Sequence, residues 1–169
     1  MTPISLRADW TPEDLAWVAS RHGALYAAEH GFDSTFEEYV AGPLAAFARA
    51  RSERERLWIA EREGQRTGCV AIVAAAPGIA QVRWFLVEPE GRGAGVGTAL
   101  LDAAVAFARR QGYASVVLWT VSALEAASRL YRRAGFVRTE ENRARRWGVE
   151  VVEEKYELSL EFGSRRDRG

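Results

Sequence analysis

The sequence has little cysteine or histidine and no surplus of charge of either sign. Of its 169 residues, 1 is cysteine and 2 are histidine, and 23 basic side chains balance 23 acidic ones. The single thiol, Cys69, excludes an intramolecular disulfide, and its apolar neighbours favour a small buried residue over a nucleophile. So few thiol and imidazole ligands argue against a structural zinc site, and we expect no metal.

The charge balance and the absence of long hydrophobic runs also limit the partners. A net formal charge of 0 lacks the basic footprint of a nucleic-acid-binding protein. No apolar stretch approaches the ~20 residues of a membrane span, and residues 1–7 lack a basic-then-apolar export signal. We therefore expect a cytoplasmic protein that binds neither nucleic acid nor membrane.

The composition is that of a globular protein, and the spacing of its hydrophobic residues alternates between helical and strand-like. Hydrophobic residues make up 48% of the chain, which predicts one domain over residues 1–162 and a disordered basic tail over 163–169. Two amphipathic helices are predicted first, from Thr11-Pro12 to Gly31 and from Thr35, which has capping-box spacing with Glu38. Strands are predicted at 57–63, 68–75, 80–87, 116–120, 137–141 and 151–160, and helices at 96–111 and 123–134. The fold class is therefore mixed α/β.

A glycine-rich loop lies between a predicted strand and a predicted helix. It reads Arg92-Gly93-Ala94-Gly95-Val96-Gly97-Thr98. Glycines let the backbone approach an anion closely, and the helix N-terminus adds the positive end of its dipole. This arrangement is typical of a phosphate-binding site.

The loop has three other interpretations. A Walker loop requires Lys after the last glycine, where Thr98 stands. A dinucleotide fingerprint requires Gly-x-Gly-x-x-Gly and an acidic residue ending the next strand, but this strand ends at Val121. A glycine-rich turn without a ligand is the third interpretation.

Two motifs together resemble the GNAT superfamily of acyltransferases. Arg92, Gly95 and Gly97 match its Arg/Gln-x-x-Gly-x-Gly/Ala signature, and residues 130–136, Leu-Tyr-Arg-Arg-Ala-Gly-Phe, match its helix-borne Leu-Tyr pair before Gly-Phe. The resemblance covers at least residues 57–136. Residues 21–33 also resemble a subgroup of these domains that is often fused behind winged-helix regulators.

The resemblance implies a sheet splayed open between the parallel strands 80–87 and 116–120, and acetyl-CoA as co-substrate. It implies transfer of an acetyl group to an amine of a small molecule or peptide, by direct attack in a ternary complex. Tyr131 would protonate the departing thiolate; otherwise it is a packing aromatic. The implied cofactor-binding residues are Leu86 and Val87, whose backbone pairs with pantetheine, and Arg92, Gly93, Ala94, Gly95, Val96, Gly97 and Thr98, whose amides hold the pyrophosphate.

Two positions depart from the family pattern. Leu124 stands where many members carry an Asn that contacts pantetheine, and Gln81 stands where some members carry a glutamate base. Because Gln81 cannot accept a proton, a non-catalytic acyl-CoA-binding or sensing module is the alternative function.

The first predicted helix carries a polar face for the acceptor. His22, Tyr26, Glu29 and His30 recur at helical spacing, with Asp33 just beyond. We predict that Glu29 is the catalytic carboxylate at an acceptor site separate from the cofactor loop; a solvated helix face with a packed tyrosine is the alternative. If the chain self-associates, we expect a homodimer.

Overall fold

A computed structural model describes residues 3–161, and the predicted tail at 163–169 lies outside them. Within that range the chain forms a seven-stranded sheet with four α-helices, which confirms the predicted mixed α/β class. The elements are β1 (Ser5–Arg7), α1 (Pro12–His30), α2 (Thr35–Ala50), β2 (Arg56–Arg62), β3 (Gln65–Ala76), β4 (Ile79–Val87), α3 (Val96–Arg110), β5 (Ser115–Val121), α4 (Glu125–Arg133), β6 (Val137–Arg146) and β7 (Val149–Ser159). Among the described helices, none combines the length and apolar character needed to cross a membrane.

The two N-terminal helices begin differently from one another. Thr11 caps α1 in a capping box with Asp14, whose carboxylate accepts from the Thr11 N–H at 2.8 Å. At α2 the predicted capping box between Thr35 and Glu38 is wrong. The Asp33 carboxylate instead accepts a hydrogen bond from the Thr35 N–H at 3.0 Å, so the turn before the helix supplies the cap.

The sheet order is β1-β2-β3-β4-β5-β7-β6, and the parallel pair is β4 with β5. Their pairing is limited to the first residues of each strand and ends at Gln81 opposite Val117. Beyond Gln81 the two strands diverge and leave a wedge in the sheet. The splayed sheet that the resemblance implied is therefore present.

A bulge in β4 reverses the alternation of its side chains. The register with β3 shifts between Cys69↔Leu86 and Ala71↔Arg83, and Trp84 adopts a left-handed φ of 50°. Trp84 packs against Phe47 of α2, at 5.7 Å between ring centroids. Arg83, the preceding residue, lies over the ring of Tyr39 on the same helix, so two consecutive side chains of β4 face α1 and α2.

Each face of the sheet has its own hydrophobic core. Helix α3 covers one face, with Leu100, Leu101 and Phe107 almost fully buried. Helices α1 and α2 cover the other, where Val18 and the predicted buried thiol Cys69 are inaccessible to solvent. Both cores reach the wedge between β4 and β5, and the wedge is therefore walled by helices on both sides.

Candidate active site

A cleft of about 720 Å³ occupies the wedge in the sheet. Its walls come from α1, α2, the loop before α3, the diverging parts of β4 and β5, and the start of α4. This cleft contains Tyr131, Glu29 and every predicted cofactor-binding residue except Ala94. The strand divergence thus collects residues that lie far apart in the sequence.

The loop before α3 presents a set of free backbone donors. Gly95, with a φ of 84°, precedes α3 as its cap residue. The Arg92 and Ala94 N–H groups donate within the loop, to the carbonyls of Pro89 and Gly91. In residues 3–161 no acceptor is found for the remaining N–H groups of the predicted set, those of Gly93, Gly95, Val96, Gly97 and Thr98. Free N–H groups at a helix N-terminus, together with the helix dipole, favour the binding of an anion.

The arginine of this loop is held by the first helix. An Arg92 guanidinium nitrogen lies 2.8 Å from a Glu29 carboxylate oxygen, and Nε of Arg92 donates to the Val87 carbonyl at 3.3 Å. The Glu29 side chain is about one-third exposed. Glu29 is therefore in direct contact with the predicted cofactor loop, and the separation of its acceptor site from that loop stays a prediction.

Tyr131 lies on α4 at the opposite wall of the cleft and is 5% exposed. Its ring contacts those of Phe85, Phe136 and Tyr156, with centroids 5.8 to 6.0 Å apart. Burial raises the pKa of Tyr131 well above its usual value, and the neighbouring phenols of Tyr26 and Tyr156 raise it further. The hydroxyl therefore stays protonated at all physiological pH values, as a general acid requires.

The polar face predicted on α1 is mostly enclosed. His22, Tyr26 and His30 line the cleft with Glu29, but His22 is only 3% exposed. Nδ1 of His22 lies 2.7 Å from the Val18 carbonyl, and desolvation lowers the pKa of His22 to about 4. Asp33 does not line the cleft and instead caps α2.

An aromatic wall faces the cleft beside α1, and only its Tyr26 belongs to the site predicted from the sequence. It consists of Tyr26, Phe32, Phe36, Tyr39 and Trp147. Trp147 comes from the β6–β7 turn and lies 4.9 Å from Phe32 between ring centroids. The helical spacing of Phe36 and Tyr39 was visible in the sequence, but only the fold brings Trp147 against them.

The two departures from the family pattern both lie in the cleft. Gln81 is half-buried on β4 at the point where the strands diverge. Leu124 precedes α4 as its cap residue and makes no side-chain cap hydrogen bond. The cleft therefore has an amide and an aliphatic side chain at these two positions.

Comparison with known sequences identifies relatives that are named as N-acetyltransferases. Residues 53–138 match the acetyltransferase (GNAT) domain family. An uncharacterized N-acetyltransferase of Schizosaccharomyces pombe is 34% identical over 118 residues, which are 68% of this chain and 72% of that protein. N-acetyltransferase family 8 member 3 of Rattus norvegicus is 36% identical over 89 residues, half of this chain and 39% of the relative.

Solved structures show the same fold at lower identity. An N-acetyltransferase from Staphylococcus aureus Mu50 superposes with a TM-score of 0.79 at 17% identity, covering 95% of this chain and all of that one. A putative acetyltransferase from Salmonella typhimurium, determined with its cofactor acetyl-CoA, gives a TM-score of 0.77 at 19% identity, covering 98% and 99% of the two chains. Fold, loop, helix-borne tyrosine and sequence relatives agree, and the chain belongs to the GNAT family of acyltransferases.

Proposed function

We propose that this chain transfers an acetyl group from acetyl-CoA to an amine of a small molecule or peptide, with both substrates bound at once. The observation that carries the proposal is the shared cleft. The five residues with free N–H groups at the start of α3 and the buried Tyr131 line the same cleft. One end suits a pyrophosphate, and the other suits the departure of a thiolate.

The residues at the loop fit the co-substrate. A Cβ placed on Gly93 or Gly95 would meet no atom within 4 Å, which leaves room for an anion beside the free N–H groups. Gly97 is closely packed, since a Cβ there would lie 3.2 Å from a Leu130 methyl group. The five free N–H groups would hold the pyrophosphate, and the backbone of Leu86 and Val87 would pair with pantetheine. When bound, acetyl-CoA supplies the thioester.

Tyr131 is the general acid of the proposed reaction. The amine nitrogen bonds to the acetyl carbon, the carbon–sulfur bond breaks, and the electron pair leaves with sulfur. The Tyr131 hydroxyl donates its proton to that sulfur, the nitrogen loses its surplus proton to water, and the tyrosinate then recovers a proton from water. A free thiol titrates near pH 8.5, below the pKa of Tyr131, so the proton transfer is uphill by itself and must accompany the breaking of the carbon–sulfur bond.

Glu29 is the carboxylate we propose for the acceptor side. It lies on α1 in the same wall of the cleft as Tyr26, and its ion pair with Arg92 keeps it beside the loop. From there the carboxylate can attract a cationic amine or accept its proton through water. Arg92 thus couples the acceptor side to the cofactor side.

A thiol-release assay tests the proposal. The purified chain is incubated with acetyl-CoA and a panel of amines, and the acetylated product is identified by mass spectrometry. We expect thiol release that depends on the amine and equals product formation. The alternative, an acyl-CoA-sensing module, is favoured by Gln81 and Leu124. It predicts acetyl-CoA binding with no amine-dependent release.

A further inference from the structure

Arg83 is a half-buried cation in the cleft that no carboxylate neutralises. It lies over the rings of Tyr39 and Trp84, at 5.7 and 5.3 Å from its guanidinium carbon to the centroids. No acidic group lies within ion-pair distance of Arg83 in the described part of the chain. Because arginine stays charged, this position carries an uncompensated positive charge.

The other charges of the cleft are arranged differently. Arg92 is neutralised by Glu29, and Glu153 is paired with Arg146 at 3.0 Å. Arg133 and Glu125 are exposed on α4 and therefore well hydrated. Arg83 is thus the partly desolvated cation available to a ligand.

The β4 bulge adds a second donor next to this charge. Trp84 is 6% exposed, and its Nε1–H has no hydrogen-bond partner within residues 3–161. Two more side-chain atoms share this condition, Nε2 of His30 and Oγ1 of Thr120, and both of these residues also line the cleft. A buried donor without a partner is costly, so such groups indicate where a ligand bonds.

The aromatic wall defines what surrounds the charge. The guanidinium of Arg83 lies over the ring of Tyr39. Tyr39 is 52% exposed, which makes it one of the most exposed large hydrophobic side chains of the described residues. Phe36 and Trp147 continue the wall, with their centroids 5.0 Å apart. An apolar or aromatic group would cover these rings while an anion contacts Arg83.

We infer that the acceptor is an amino-acid-like amine, with a carboxylate bound by Arg83 and the Trp84 Nε1–H and an apolar side chain against the aromatic wall. The inference rests on the proposed acetyl transfer and names its substrate class. Arg83 and Trp84 are specificity-determining residues, since they bind the carboxylate and do not touch the reacting atoms.

Matched substrates test the inference on the unaltered protein. Phenylalanine is compared with phenethylamine, and tryptophan with tryptamine, in the thiol-release assay with saturating acetyl-CoA. Because the carboxylate lowers the amine's basicity, kcat/KM is expressed per unprotonated amine. We expect the amino acids to be preferred by about 10- to 100-fold, as hydrogen-bonded charge pairs imply. Equal or better use of the decarboxylated amines would overturn the inference.

Two arginine variants extend the test. In Arg83→Gln the preference for the carboxylate should fall toward one, and Arg83→Lys should restore part of it because the charge returns without the planar fork. Arg56→Gln is the matched control. Arg56 also stacks on two rings, Trp58 and Phe107, but lies outside the cleft. An unchanged preference in Arg83→Gln would refute the assignment.

Failure of the proposed function gives a different result from failure of this inference. If no amine of either kind releases thiol, both proposals fall. If the decarboxylated amines are acetylated and the amino acids are not, acetyl transfer stands and the carboxylate site is wrong.

Discussion

Tyr131→Phe removes a single hydroxyl from the cleft and is the sharpest perturbation of the proposed chemistry. The ring stays, and so do its contacts with Phe85, Phe136 and Tyr156 at about 6 Å between centroids. No hydrogen bond of the Tyr131 hydroxyl is found within residues 3–161, so no structural bond is broken. We expect a change in the free energy of unfolding below about 0.5 kcal/mol, which shifts the Tm by about 2 °C or less.

The catalytic effect of the same change should be large. A positioned general acid contributes roughly 10²- to 10⁴-fold, so kcat should fall by that factor while the Kd for acetyl-CoA stays within about twofold. Burial keeps the pKa of Tyr131 above its usual value. Deprotonation of Tyr131 should therefore cause no loss of kcat in the unaltered protein as the pH is raised to about 10.

The assay combines steady-state thiol release, calorimetric titration of acetyl-CoA and thermal unfolding on the same preparations. The result that refutes the reasoning is a folded Tyr131→Phe protein whose kcat on an accepted amine matches that of the unaltered protein. Tyr131 would then be a packing residue, and the thiolate would take its proton from water.

Two further predictions concern α1. Glu29→Gln removes a negative charge beside the proposed anion site and releases Arg92, so acetyl-CoA should bind about 2- to 5-fold more tightly. The kcat/KM for the amine should fall at least about tenfold. An unchanged acetyl-CoA affinity and an unchanged kcat/KM would exclude Glu29 from both sites. The pKa of His22 is about 4 in the folded state and 6.5 in the unfolded state. As the pH falls below 6.5, the unfolded state binds a proton before the folded state does, which lowers the stability of the fold. Urea titrations should show about 2 kcal/mol less stability at pH 5 than at pH 7.5, a loss that His22→Gln should lack.

The parts of the site that are local in sequence could be predicted from it. The role proposed for the loop residues Gly93 to Thr98 depends on their own backbone and on the helix that follows them, so their spacing alone predicts an anion site. The Leu-Tyr motif likewise marks Tyr131 because it sits within one helix and its terminating glycine. Strand and helix positions followed from periodicity, which is also a local property.

The parts that depend on distant contacts could not be predicted. The bulge that turns Arg83 and Trp84 to the same face arises from pairing between β3 and β4, and no local pattern specifies it. The Glu29–Arg92 pair joins residues 63 positions apart. Helical spacing showed that His22 lies on one face with Glu29, but not that His22 is buried while Glu29 stays partly exposed.

A calorimetric titration of acetyl-CoA into matched glycine variants tests the central claim most directly. Gly95 and Gly112 flank α3, both have φ near 80°, and a Cβ on either would meet no atom within 4 Å. Glutamate therefore strains the backbone equally at both positions, but only at Gly95 does it place a negative charge in the anion site. We predict binding by the unaltered protein and by Gly112→Glu, and none by Gly95→Glu. Equal affinity in the two folded variants would contradict the assignment of this loop to the pyrophosphate.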